Sequence, residues 1–286
     1  MRYIIIQLLG ALFFCNVFVV TPLPQPTTSL LPEPPTLTAS PPSAIVPTPS
    51  LTTVPDTGWV FIQSGLEQRH INLVDEAGRG LDDLYLIRLD PNLYRFDVAY
   101  HPTKPLTLED WLEKTDALLA VNGGYFSVDA GNYYPTGLTV VDGQPMGVSY
   151  GDFAGMLAIT VQGAELRWLA QHPYQADEPL LAGLQSFPLL VKPGGELGFP
   201  AEHEDNKRAR RTVIGRDTQG RFILLVAARR YFTLHQLSRF LTESDLELDM
   251  AFNLDGGPSS GLLLANSADG ISAQSKLPLV IVVYPK

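Results

Sequence analysis

The chain has 286 residues, 30 Asp and Glu against 20 Lys and Arg, a formal net charge of −10 and one cysteine, Cys15. That acidity excludes a nucleic-acid backbone as the principal partner. The single cysteine excludes a disulfide framework, and its place near the N-terminus excludes a catalytic thiol in the body of the chain.

After Arg2, Ile4 to Val20 is apolar except for Gln7, Gly10 and Asn16, a pattern that suits either a signal-peptide core or a short membrane anchor. No A-x-A-like cleavage site follows, and "LFFC" lacks the small residue expected before a lipidated cysteine. Residues 21–55 hold eleven of the chain's 24 prolines and one charge, Glu33. Such a segment buries too little apolar surface to offset its ordering entropy and is expected to be an extended tether. Residues 1–20 are thus expected to be leader or anchor, 21–55 tether, and 56–286 one domain exported to a bacterial envelope or beyond it. A domain without disulfides there must be stabilised by its core.

Within the domain, "WVFIQ", "LYLIRLD", "YRFDVAY", "MLAITVQ", "RFILLVAA" and "LPLVIVVYP" are strand-like runs, and "VVDGQP" and "GRDTQGRF" are turn signals between strands. Two segments predict helices: "TLEDWLEKTD", with Thr107 and Asp110 as a capping pair, and "TLHQLSRFLTES", with Thr233 and Gln236 as a capping box. Each precedes a strand that ends on asparagine and a Gly-Gly turn. The expected fold is α+β: a single domain of twisted, largely antiparallel mixed sheets with a few packed helices.

Four segments could carry chemistry. In "AVNGGYFS", Asn122 ends a buried strand and Gly123 and Gly124 let the backbone approach a ligand; Tyr125 is either a sugar-stacking platform or core. "YYPTGLTVVDGQPMG" reads as a loop and hairpin. In "NKRARRTVIG", Lys207 and Arg208 read as a solvated face, whereas Arg211 begins a strand and can offer a planar fork to carboxylate or phosphate. In "FNLDGGPSS", alternation sets Asn253 and Asp255 on one side of the strand end, followed by Gly256, Gly257 and Ser259; the competing reading is an Asx turn capped by Asp255. No serine-hydrolase elbow, zinc-protease helix, P-loop or dinucleotide fingerprint occurs. The five histidines give no paired metal spacing, so no cofactor is expected, with a divalent ion left open.

Taken in order, "AVNGGYF", "YPTGLTVVDGQ", "GLQSFPLLVKPGG", "RRTVIGRDTQGRFILLVAA" and "AFNLDGGPSS" resemble the phosphodiester glycosidase family. The resemblance implies hydrolysis of a sugar 1-phosphodiester at the glycosidic C–O bond, with release of a phosphomonoester. It implies that the three polar segments meet, with Asp255 as nucleophile or base, Arg211 on the phosphate, and Asn122 and Asn253 orienting sugar hydroxyls. Catalytic roles would fall on Asp255, Arg211 and Asn253. Substrate binding would fall on Asn122, Gly123, Gly124, Tyr125, Gly256, Gly257 and Ser259. Pro258 departs from the family pattern. The rival expectation is an envelope domain that holds a phosphorylated glycan without cleaving it.

Overall fold

The structure, a computed structural model, describes residues 52–286. The expected leader and most of the expected tether lie outside the described residues. The first strand, Thr52–Asp56, pairs with Leu66–Val74, so residues 52–55, expected in the tether, join the sheet.

Among the described residues there are 21 strands and two α-helices. Every named strand pair is antiparallel. The expected antiparallel sheets are therefore present, but helix is a minor component and the α+β description fits only loosely. Both helices start at the expected caps: α1 (Leu108–Thr115) on the Thr107–Asp110 box and α2 (Leu234–Glu243) on the Thr233–Gln236 box. In each, the threonine hydroxyl accepts an otherwise unpaired N–H of the first turn.

The large sheet has nine strands, with Leu248–Asn253 between Arg211–Asp217 and Leu189–Lys192. A five-stranded sheet contains Leu119–Asn122 between Leu262–Leu264 and Leu279–Pro285, and another contains Ala182–Ser186 beside Gly155–Thr160. The "VVDGQP" signal closes the tight hairpin between Thr139–Val141 and Gln144–Met146. Asp142 and Gly143 both have positive φ there, 50° and 73°, as a two-residue turn matched to strand twist requires.

Side-chain alternation explains the layers. Tyr85, Ile87 and Leu89 point into a central core shared with Leu119, Val121, Leu157, Leu184 and Ile281 of the other two sheets. Leu84 and Leu86, on the opposite face of the same strand, pack with Leu237 and Leu241 of α2. The outer face of the second sheet is covered by Leu108 and Trp111 of α1. Strands with both faces buried read as continuous apolar runs, as "RFILLVAA" does.

Candidate active site

The polar segments meet where strands of the large sheet and the second sheet end together. Val213 pairs with Asn253 and Ile214 with Phe252; continuing that antiparallel register by two residues sets Arg211 opposite Asp255. The ladder's last bond runs from Leu254 N to the Thr212 carbonyl, 2.8 Å. Asp255 then leaves the large sheet and donates its own N–H to the Gly123 carbonyl at 3.0 Å.

Asn122 fastens this junction. It is 1% exposed, and its Nδ2 donates to the Asp255 carbonyl at 2.7 Å. Its Oδ1 accepts from Thr212 Oγ1 at 2.7 Å and from the Gly261 N–H at 3.0 Å. The side chain is thus consumed in joining three segments. Asn253, wholly buried, donates from Nδ2 to the Tyr125 hydroxyl at 2.8 Å and to the carbonyls of Phe187 and Leu254. Its Oδ1 is buried without a partner among the described residues. In this arrangement the Asn122 carboxamide is committed to protein, and Asn253 holds the Tyr125 hydroxyl.

Gly123 and Gly124 also meet a packing need. Neither has positive φ. A Cβ on Gly123 would come within 2.8 Å of Leu279, and one on Gly124 within 2.9 Å of the Gln185 carbonyl. Their backbones run against neighbouring strands, and glycine is required by that close packing. In the second turn, Gly256 abuts the Arg210 carbonyl, 3.0 Å from where its Cβ would lie. Gly257 has a φ of 61°, its Cβ position faces open space, and its N–H is tied to the Arg210 carbonyl at 2.8 Å. Pro258 follows in the one-turn 3₁₀ helix Gly257–Ser259.

Asp255 is half-buried, and its Oδ1 accepts the Gly256 N–H at 2.8 Å. Burial pushes its carboxyl above the ordinary carboxylate value; hydrogen bonds from Ser259 and the Gly256 amide oppose that rise. The Tyr125 phenol is likewise pushed up, by burial first and then by the Asp255 charge, with Arg211 opposing. The Tyr125 phenol thus feels both the Asp255 charge and the Arg211 guanidinium.

Arg211 is 7% exposed. Its Nη2 donates to the Lys207 carbonyl at 2.6 Å and its Nε to the Phe232 carbonyl at 3.4 Å. Among the described residues, no carboxylate lies within ion-pair distance of it. Burial depresses its pKa, which Tyr125, Asp205 and Glu204 partly offset. Glu204 is committed elsewhere, accepting the backbone N–H groups of His235 and Asn206 at 2.9 Å each. A buried cation held only by carbonyls is costly unless an anion joins it. Lys207 turns its ammonium to Asp205 at 3.2 Å, and Arg208 lies over the Tyr231 ring at 5.2 Å; Arg210 is also buried, with its Nη2 on the Ser272 carbonyl at 3.0 Å and its Nε without a partner among the described residues. Among the described residues, no group of three or more His, Cys, Asp or Glu side chains is arranged to hold a metal ion.

Sequence reasoning did not assign Thr212, whose hydroxyl anchors Asn122, although it lies inside the quoted "RRTVIG" segment. It also passed over Phe187, whose ring packs against Tyr125 at 4.7 Å between centroids. Phe187 lies inside the quoted "GLQSFPLLVKPGG" segment, but its contact is with a loop residue 62 positions earlier in the chain.

The fold is similar to the catalytic domain of zebrafish N-acetylglucosamine-1-phosphodiester alpha-N-acetylglucosaminidase, solved in a form auto-inhibited by its pro-peptide. The TM-score is 0.59 at 20% identity, over 78% of this chain and 84% of that one. A hypothetical protein from Synechocystis is similar at TM-score 0.56 and 13% identity, over 84% of this chain and 64% of that one. A protein of Burkholderia pseudomallei K96243, provisionally described as exported, is similar at TM-score 0.50 and 14% identity, over 71% and 74%. No curated protein sequence matches the chain. The phosphodiester glycosidase family model matches residues 115–284, a span that holds Asn122, Tyr125, Arg211, Asn253 and Asp255 and more than half of the chain. The chain belongs to the phosphodiester glycosidase family.

Proposed function

We propose that this protein hydrolyses a sugar 1-phosphodiester, breaking the bond between the anomeric carbon and the bridging oxygen and releasing a phosphomonoester. The observation that carries this reading is the buried Arg211 guanidinium, without a carboxylate partner among the described residues, at the sheet end it shares with Asp255. The two side chains divide the chemistry. Asp255, as carboxylate, attacks the anomeric carbon or takes a proton from the attacking water. The electron pair of the breaking C–O bond departs on the phosphate oxygen, whose charge Arg211 holds through a two-point fork.

Ordinary glycosidases need a second carboxyl because an alkoxide must be protonated as it leaves. A phosphomonoester leaves without that help. One carboxyl and one fixed cation therefore suffice for the step. Tyr125, held by Asn253, offers its remaining hydroxyl proton to substrate oxygen, while Asn122 is a positioning residue that fixes the backbone of Asp255. Ser259 and the Gly256 amide orient the carboxylate, and the open side of Gly257 leaves room for the sugar.

The leader pattern at residues 4–20 and the exported description of one fold relative support a place outside the cytoplasm. The decisive test is turnover of a panel of sugar 1-phosphodiesters by the purified protein, with free sugar and phosphomonoester measured as products. Tight binding of the panel without product would instead support a phosphoglycan-binding domain.

A further inference from the structure

From Tyr125 outward, the wall of the site continues as a chain of rings that reaches solvent. Tyr125 packs on Phe187, which meets Tyr150 edge-on at 5.0 Å and Phe153 edge-on at 5.5 Å. Tyr125 keeps its hydroxyl on Asn253 inside the site. At the other end Phe153 is 53% exposed and Val148, bridged to Gly137, is 73% exposed. The ledge is fixed in place, since Tyr150 packs so closely over Gly137 that an added Cβ would come within 2.4 Å of its ring.

The surface this ledge offers is carbon. The Tyr150 hydroxyl is tied to Thr136 Oγ1 at 2.5 Å. Gln185 Oε1 accepts from the Tyr150 N–H at 2.7 Å, and Gln185 Nε2 donates to Ser149 Oγ at 3.0 Å. A second sugar ring would need free donors and acceptors beside its stacking face, and those groups are consumed here within the protein. A saturated chain needs only apolar area to cover. Exposed apolar side chains that run unbroken into a polar site mark a ligand surface.

We propose that the ledge formed by Val148, Tyr150, Phe153 and Phe187 seats an apolar aglycone, so that the preferred substrates are sugar 1-phosphates esterified to a long-chain alcohol. This rests on the reading of Arg211 as the phosphate ligand. Hydrolysis of such a substrate transfers water's oxygen to the anomeric carbon and leaves the chain as an alkyl phosphate monoester beside Arg211.

Calorimetric titration with decyl phosphate and methyl phosphate, both below micelle-forming concentration, tests the ledge without requiring turnover. The wild-type protein should bind decyl phosphate about 10-fold more tightly or better, which is what burying two methylenes delivers. In a Val148→Ser/Phe153→Ser variant, both changes being at exposed positions, that ratio should fall to near one. Equal affinities in the wild type, or a full chain-length preference in the variant, would overturn the proposal. Arg211→Gln should weaken both phosphates together. If the chain-length preference is present but the sugar 1-(decyl phosphate) is never hydrolysed, the hydrolase reading fails and the ledge stands.

Discussion

The Asn122 carboxamide donates to the backbone carbonyl of Asp255 at 2.7 Å, across 133 positions of sequence. The same side chain accepts from Thr212 and Gly261, so its removal strands several buried polar groups at once. Asn122→Ala should cost about 2–4 kcal/mol of stability, read as a lower urea midpoint at unchanged slope. A side chain that only touched sugar would leave the midpoint where it is and raise KM.

Asp255→Asn should separate chemistry from stability, in opposite directions. Turnover should fall by about 10²-fold or more, the scale of losing a positioned acid-base group. Because burial raises the folded carboxyl above its ordinary value of 3.8, proton binding favours the native state, and stability falls as pH rises from 3.8 through the folded value. The neutral variant should therefore melt higher than wild type at pH 7, and the gap should close as pH falls below 3.8. Melting curves across that range on both proteins would check this.

The acid limb of kcat/KM should follow the same carboxyl. If Asp255 acts in its ionised form, activity is lost as pH falls through its raised pKa, so the limb should lie above 3.8. A pH–rate profile with constant activity down to that value would exclude Asp255 as base or nucleophile.

Arg211→Lys should lower kcat/KM by about 10²-fold although the charge is kept, because an ammonium cannot reproduce a two-point fork on phosphate. Lys207→Ala should change it little, since the contact to Arg211 uses the Lys207 backbone carbonyl. Arg208→Ala should likewise be nearly silent. Equal losses at all three positions would indicate a diffuse basic surface in place of one seated cation.

Tyr125→Phe keeps the ring on Phe187 and removes the hydroxyl that Asn253 holds. It should fold normally and lose about tenfold in kcat, the worth of one hydrogen bond to a developing charge. Combined with Asn253→Ala, the loss in turnover should be less than additive if Asn253 acts through the phenol. Additive losses would give the asparagine an independent role.

What could be read in the sequence was what local chemistry decides. The two capping boxes need only residues three apart, and both are formed. Arg211 stood out from Lys207 and Arg208 because it begins a strand pattern, and it is buried while they are not; Arg210 is buried as well, which the pattern did not mark. Asn122 could be marked as unusual, but its work depends on partners 90 and 139 positions away. The glycines after it suggest a place where backbone could approach a ligand; their packing against Leu279 and Gln185, on strands that come later in the chain, is not local and could not be read. The aromatic ledge is assembled from separate segments, and no single stretch announces it.

Three sheets close on one core, and the Asn122 junction lies where two of them end. The Gly261 N–H on Asn122 and the Asp255 N–H on Gly123 sit among contacts too far apart in sequence to open as a local unit. Their hydrogen exchange should then proceed only through unfolding of the whole domain. A chain so dominated by distant pairings should also fold slowly, with the site forming late. Exchange of the Gly261 amide would therefore be a clock for the lifetime of the entire native state.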